Sequence, residues 1–214
     1  MKKIKGVIFD LDGTLANTLP LCILAFRKSI EPFINRPISD QEIISTFGPS
    51  EEGTIMTLIP GYYEKGIDSY LKNYEIMHEI CPAPFAGINE LLSNLKNKSI
   101  KIGMVTGKGK YSTDISLKHF GIEHFFEVIE NGSPNGPRKP DGIRSVLNYW
   151  NVSRNEVLYV GDAVSDIEAC REVGIPIIAA AWAETSEPER LINYNPNEIF
   201  YSVENFSKWI YLQI

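Results

Sequence analysis

Cysteine is scarce in this chain, and what there is lies scattered. Cys22, Cys81 and Cys170 are far apart and form no Cys-x-x-Cys pair. An odd, dispersed set argues against a disulfide framework or a zinc site and predicts reduced, mostly buried thiols. Histidine is equally thin: His78, His119 and His124 have no mutual spacing for a metal or a triad, so each reads as an ordinary core or surface residue. Positive charge is in deficit. A formal net charge of −6 argues against a general nucleic-acid binder, because phosphate backbones select basic surfaces. Long apolar runs are missing too, and no stretch approaches the length that spans a bilayer. Met1-Lys2-Lys3-Ile4-Lys5 has the positive charge of an export signal, yet the apolar residues after it stop at Asp10. No signal is read, and a cytoplasmic location is expected.

What is present is an ordinary globular composition over 214 residues, enough for one core domain with a smaller insertion. Its organising stretch is Gly6 to Thr18, GVIFDLDGTLANT. The apolar run Val7-Ile8-Phe9, bounded by Gly-containing turn chemistry, predicts a buried strand of a parallel sheet. It ends in Asp10-Leu11-Asp12-Gly13-Thr14. Two carboxylates at such a strand end are costly unless a cation or hydrogen-bond donors compensate them. A calcium loop can share the Asp-x-Asp-Gly spacing, but no ligand ladder and no closing Glu follow here.

From about Ala16 to Ile80 the pattern is helical. Leu19 to Ile30 fits an amphipathic helix, Ser39-Asp40-Gln41-Glu42 is a capping-box sequence, and Gly48-Pro49-Ser50-Glu51-Glu52 breaks the chain before another acidic first turn. Helical spacing returns from Tyr62 to Ile80, where Tyr70 and Tyr74 read as helix packing. Two prolines in Cys81-Pro82-Ala83-Pro84-Phe85 mark a linker. Strands and helices then alternate. Strands are predicted at Ile100–Val105, Phe126–Glu130, Val157–Val160 and Pro176–Ala180, with a small one near Ile199-Phe200. Helices are predicted at Gly87–Leu95, Tyr111–Phe120, Asp141–Trp150, Ser165–Val173 and Val203–Ile210. Such alternation implies an α/β fold with a Rossmann-like parallel sheet. The core would comprise residues 1–15 and 82–214, and residues 16–81 an inserted all-helical domain. Ligands of such sheets sit beyond the carboxyl ends of the strands.

Three further clusters fall at those ends. Thr106 and Gly107 follow Lys101-Ile102-Gly103-Met104-Val105; a hydroxyl and a backbone N–H there suit a phosphoryl oxygen, and equally a turn-capping Thr. Lys108 and Lys110 come next, either solvated or holding an anionic substrate. Lys139-Pro140 follows a Gly/Pro-rich loop. Val157-Leu158-Tyr159-Val160-Gly161-Asp162 is a second apolar strand ending in Asp, with Asp166 four residues on, where a carboxylate also suits a helix first turn.

Asp10-x-Asp12-Gly-Thr14, Thr106, Lys139 and Asp162/Asp166, in this order over nearly the whole chain, resemble the haloacid dehalogenase (HAD) superfamily. The resemblance implies an aspartate-nucleophile phosphatase: Asp10 attacks phosphorus, Asp12 is the general acid/base, and Thr106, Gly107 and Lys139 hold the phosphoryl oxygens, with Thr14 and Lys108 beside the substrate. It also implies Mg2+ on Asp10, the Asp12 backbone carbonyl and Asp162, with Asp166 supporting Lys139 or a metal-bound water; few, hard oxygen ligands suit magnesium rather than zinc. The helical insertion is similar to a cap, as in phosphoglycolate phosphatases, pyrophosphatases and β-phosphoglucomutases, and Thr14 with the Gly48-Pro49-Ser50-Glu51-Glu52 loop points to the first two. The expected partner is a small phosphorylated metabolite, with no nucleic acid or membrane, for a monomer or homodimer. A β-phosphoglucomutase-like phosphomutase, an inorganic pyrophosphatase and a catalytically silent binding protein are the alternatives.

Overall fold

The computed structural model describes residues 3–214, so the basic start at Met1 and Lys2 lies outside it. At its centre is β1 (Gly6–Phe9), buried throughout. Around it run β2 (Lys101–Val105), β3 (Val128–Glu130), β4 (Val157–Gly161), β5 (Ile177–Ala180) and β6 (Glu198–Phe200), in the spatial order β3-β2-β1-β4-β5-β6. Every pairing is parallel. The pleat splits β1 between two cores: Val7 and Phe9 join one, with Met104, Val160 and Ile178, while Ile8 faces the other, with Val105, Tyr159 and Ala179. Burial on both faces is why β1 is a continuous apolar run instead of an alternating one.

Between β1 and β2 the described elements are all helical: α1 (Leu19–Ile34), α2 (Asp40–Ile44), α3 (Glu51–Leu58), α4 (Tyr63–Ile76) and α5 (Ile88–Asn97), with short 3-10 turns at Pro60–Tyr62 and His78–Ile80. The capping box at Ser39 forms as expected: its hydroxyl accepts from Glu42 N–H, and Glu42 accepts from Ser39 N–H. After β2 come α6 (Lys110–Phe120), α7 (Lys139–Trp150), α8 (Val164–Val173), α9 (Pro188–Asn193) and α10 (Val203–Ile210). Most boundaries shift by a residue or two, and three differences are larger or have a clear cause. The Tyr62–Ile80 helix stops at Ile76 and tightens into the 3-10 turn. α7 begins at Lys139, since Pro140 needs no N–H partner in a first turn. The six-residue α9 was not foreseen, being too short to show a helical period. No helix among the described residues is long and apolar enough to cross a membrane.

The helical segment is joined to α6 by Tyr74 and His78, whose Oη and Nε2 lie 2.8 and 2.9 Å from Ser116 Oγ. His78 is 1% exposed, and its ring lies against that of His119, tilted by 33°, at 4.1 Å between centroids. It is a core histidine, and burial, aided by the His119 charge, lowers its pKa to about 4. Unfolding releases it to ordinary values near 6.5. The neutral ring therefore contributes stability that is complete above about pH 6.5 and is lost as pH falls toward 4. His78→Gln should flatten the pH dependence of thermal unfolding in that window, removing a slope worth up to about 3 kcal/mol. An unchanged slope would exclude His78 as its source.

Candidate active site

The ladder of β1 continues one residue beyond the strand, as Asp10 N–H donates to Val160 O at 2.9 Å. This carries the Asp10 side chain past the sheet edge while leaving it only 4% exposed. Its Oδ1 accepts from Leu11 N–H at 2.7 Å. The chain then turns sharply through Gly13 (φ +73°), where a Cβ would lie 2.0 Å from Asp162 Oδ2. Only glycine permits both the turn and that approach, and through it the ends of β1 and β4 meet.

Lys139 reaches the same point from the first turn of α7. Its Nζ lies 2.6 Å from Asp10 Oδ2 and 2.6 Å from Asp166 Oδ1. The neighbouring Arg138 is turned away, onto Asn131 O and Glu130. Asp166 is fully buried and also accepts from Ala163 N–H at 3.0 Å, while the Tyr159 Oη lies 2.9 Å from its Oδ1. Asp166 thus holds Lys139 against Asp10, and Tyr159 holds Asp166. Burial works against the Lys139 ammonium, yet Asp10 and Asp166 raise its pKa above the usual lysine value. Burial pushes Asp10 up to about 6, Lys139 pulling the other way, and burial together with Asp10 and Asp166 pushes Asp162 well up.

Oxygens of Asp10, Asp162 and Asp166 lie within 4.8 Å of one another. These three carboxylates face one ammonium group, Lys139. The two excess negative charges and the all-oxygen donor set fit a divalent, hard cation. Asp166 already takes Lys139 Nζ on one oxygen and Ala163 N–H on the other, and lies against Tyr159 Oη, which also reaches Val105 O at 2.8 Å, so Asp10 and Asp162 are the side chains left to hold such an ion. Thr14, expected beside the substrate, is fully buried and donates to Asp162 Oδ1 at 3.1 Å, which places it behind the cluster as a positioning residue.

On the other side of Asp10, Thr106 is 2% exposed and its hydroxyl accepts from Lys108 N–H at 3.2 Å. Gly107 faces the cavity. Lys108 is buried, with Nζ 3.1 Å from Asp12 Oδ1, 3.1 Å from Cys22 Sγ and 4.7 Å from the Tyr74 ring centre. Thr18 also donates to Asp12. Asp12, on the core loop, is thus gripped from both sides, by Lys108 and by the foot of α1. Burial pushes the Cys22 thiol up to about 11, so it stays protonated. Lys110, by contrast, is exposed and paired with Asp114.

Asp10, Asp12, Gly107, Lys108, Lys139 and Asp162 line one cavity of about 280 Å³, which the helical segment partly covers. Tyr70, expected only to pack, lines it, as does Glu51, whose carboxylate accepts from Gly109 N–H at 2.7 Å and Ser112 Oγ at 2.5 Å. In sequence Glu51 reads as an acid in a helix first turn, and nothing there pairs it with α6. Tyr159 was legible only as a hydroxyl inside an otherwise apolar strand.

A six-stranded parallel sheet with paired aspartates at adjoining strand ends, a lysine between them and helices overhead defines a hydrolase of the phosphatase kind. The match to known proteins is specific: the profile of the haloacid dehalogenase-like hydrolases spans residues 7–180, and the chain belongs to that family. It is 28% identical to pyrophosphatase PpaX of Halalkalibacterium halodurans, over 94% of both chains, and 30% identical to pyrophosphatase PpaX of Listeria welshimeri, over 91% of both. Among solved structures it is similar to a haloacid dehalogenase-like family protein of Streptococcus pneumoniae (26% identity, TM-score 0.74, 96% of this chain and 98% of that one). CbbY of Rhodobacter sphaeroides, solved with phosphate, shares the fold (TM-score 0.76, 18% identity, 93% and 94% coverage).

Proposed function

We propose that this hydrolase is a magnesium-dependent phosphatase of a small phosphate ester that works through a phosphorylated Asp10. The observation that carries the reading is the convergence of Asp10, Asp12, Lys139 and Asp162 on one cavity. Asp10 Oδ attacks phosphorus in line, the bond to the leaving oxygen breaks, and protonated Asp12 gives that oxygen its proton. Asp12, now a carboxylate with Lys108 beside it, takes a proton from water, whose oxygen attacks the phosphorus of the aspartyl-phosphate and frees Asp10. Thr106, Gly107 N–H and Lys139 hold the equatorial oxygens, where charge stabilisation matters most. A magnesium ion on Asp10, the Asp12 carbonyl and Asp162 supplies charge neutralisation between carboxylate and phosphate. Residues 16–81 act as a cap on the core formed by 1–15 and 82–214, closing over the ester and excluding water.

The test is phosphate release by the full chain, with and without magnesium, from a panel of small phosphate esters and pyrophosphate. Release that needs magnesium is the expected result; release indifferent to chelation would overturn the metal's role. Binding is expected to show without turnover as well. Magnesium at about 100 times its dissociation constant should stabilise the fold by about 2.7 kcal/mol, read as a rise in Tm over the chelated protein. A Tm that magnesium does not move would count against the site.

A further inference from the structure

The ceiling of the cavity has a charge pattern that the chemistry above does not use. Phe26, Phe47, Pro49 and Tyr70 make it apolar, and among the described residues Glu51 is the only charged side chain that the helical segment contributes. That segment has five basic residues, Arg27, Lys28, Arg36, Lys65 and Lys72, and none lines the cavity. Arg27 pairs with Asp40 and Arg36 with Glu42. The two lysines that do line it belong to the core and are engaged, Lys139 with Asp10 and Asp166, Lys108 with Asp12. Glu51 cannot swing aside. It is 5% exposed and held at both oxygens, by Gly109 N–H and the Ser112 hydroxyl. Gly109 makes that grip possible, since a Cβ there would lie 2.6 Å from Glu51 Oε1.

An ester whose phosphoryl group meets Asp10 and Lys139 turns its leaving group toward this ceiling. A leaving group with its own carboxylate or phosphate would bring a second negative charge into a buried space beside Glu51, where the nearest ammonium group, Lys108, already answers the charges of Glu51 and Asp12. An uncharged ring would instead pack on Phe26, Phe47 and Tyr70. Building in such repulsion is how a site rejects a competitor. We propose that this cavity selects phosphate monoesters of uncharged, ring-bearing alcohols, and that Glu51 is the specificity residue that turns away leaving groups carrying a second negative charge. The proposal rests on the phosphatase reading and narrows it away from phosphoglycolate and pyrophosphate.

The experiment compares kcat/KM of the magnesium-loaded full chain for benzyl phosphate, 2-phosphoglycolate and pyrophosphate. Benzyl phosphate is expected to exceed either anionic substrate by about 10-fold or more, because like-charge juxtaposition costs several kcal/mol. Glu51→Gln should narrow the gap by raising kcat/KM for 2-phosphoglycolate. A wild-type protein that uses 2-phosphoglycolate or pyrophosphate as well as benzyl phosphate overturns the selection. An unmoved ratio in a Gln variant that still hydrolyses benzyl phosphate overturns the role of Glu51. Calorimetry with inert benzylphosphonate and phosphonoacetate reads the same selection without turnover. Tighter benzylphosphonate in a protein that releases no phosphate would uphold the selection while removing the phosphatase reading. Tighter phosphonoacetate would overturn the selection whatever the turnover shows.

Discussion

Asp10→Asn should abolish phosphate release while leaving the protein folded. The amide is no nucleophile toward phosphorus, and loss of an attacking group of this kind lowers kcat by about 10⁴-fold or more. The fold should tolerate the change because Asp10 is a buried carboxylate whose charge is already disfavoured by burial, and an amide of the same shape removes that penalty. Lys139 keeps Asp166 as its partner at 2.6 Å. Phosphate release and thermal unfolding of the two proteins, measured side by side, separate the effects. Activity that survives in the variant would rule out Asp10 as the nucleophile. A variant that is inactive because it has melted would contradict the electrostatic argument.

Lys139→Met should fail in the opposite manner, losing activity and fold together. Methionine fills nearly the same volume but leaves Asp10 and Asp166 buried with no ammonium between them. Breaking a buried pair from one side typically costs about 3–5 kcal/mol, which in a chain of this size lowers Tm by roughly 10 °C. Adding Asp166→Asn should recover part of that loss, because the amide no longer needs a cation and Tyr159 and Ala163 N–H still reach it. The recovery measures the coupling between the two residues directly. Additive losses in the double variant would mean that Asp166 does not act through Lys139.

The motif residues were readable because each sits at a break in a strong local pattern. Asp10 ends one apolar strand and Asp162 another, and strands buried on both faces stand out as unbroken apolar runs. Gly121, the residue just past the predicted Tyr111–Phe120 helix, sits there with φ +67° as the left-handed cap of α6. Other groups carried no local mark. The resemblance put Thr14 beside the substrate, but the turn at Gly13 aims its hydroxyl at Asp162. Lys139 looked like a loop residue because Pro140 usually breaks a helix, whereas in a first turn it does not. Glu51 read as an acid in a helix first turn and Lys108 as either solvated or beside the substrate, and both are buried.

By itself, then, the sequence determined the parallel α/β order, the all-helical stretch between β1 and β2 and the carboxylates at the strand ends. Those depend on period, punctuation and spacing within a few residues of each other. Only the tertiary structure decided which charges neutralise which: Lys139 between Asp10 and Asp166, Lys108 against Asp12, and Glu51 on the amide of Gly109. These partners are separated by 27 to 129 residues in the bonds of Asp166 and Asp10 to Lys139, and by 58 in the bond of Glu51 to Gly109. Pairing at such separations is set by how strands and helices pack, and a buried charge takes its meaning from the one opposite it.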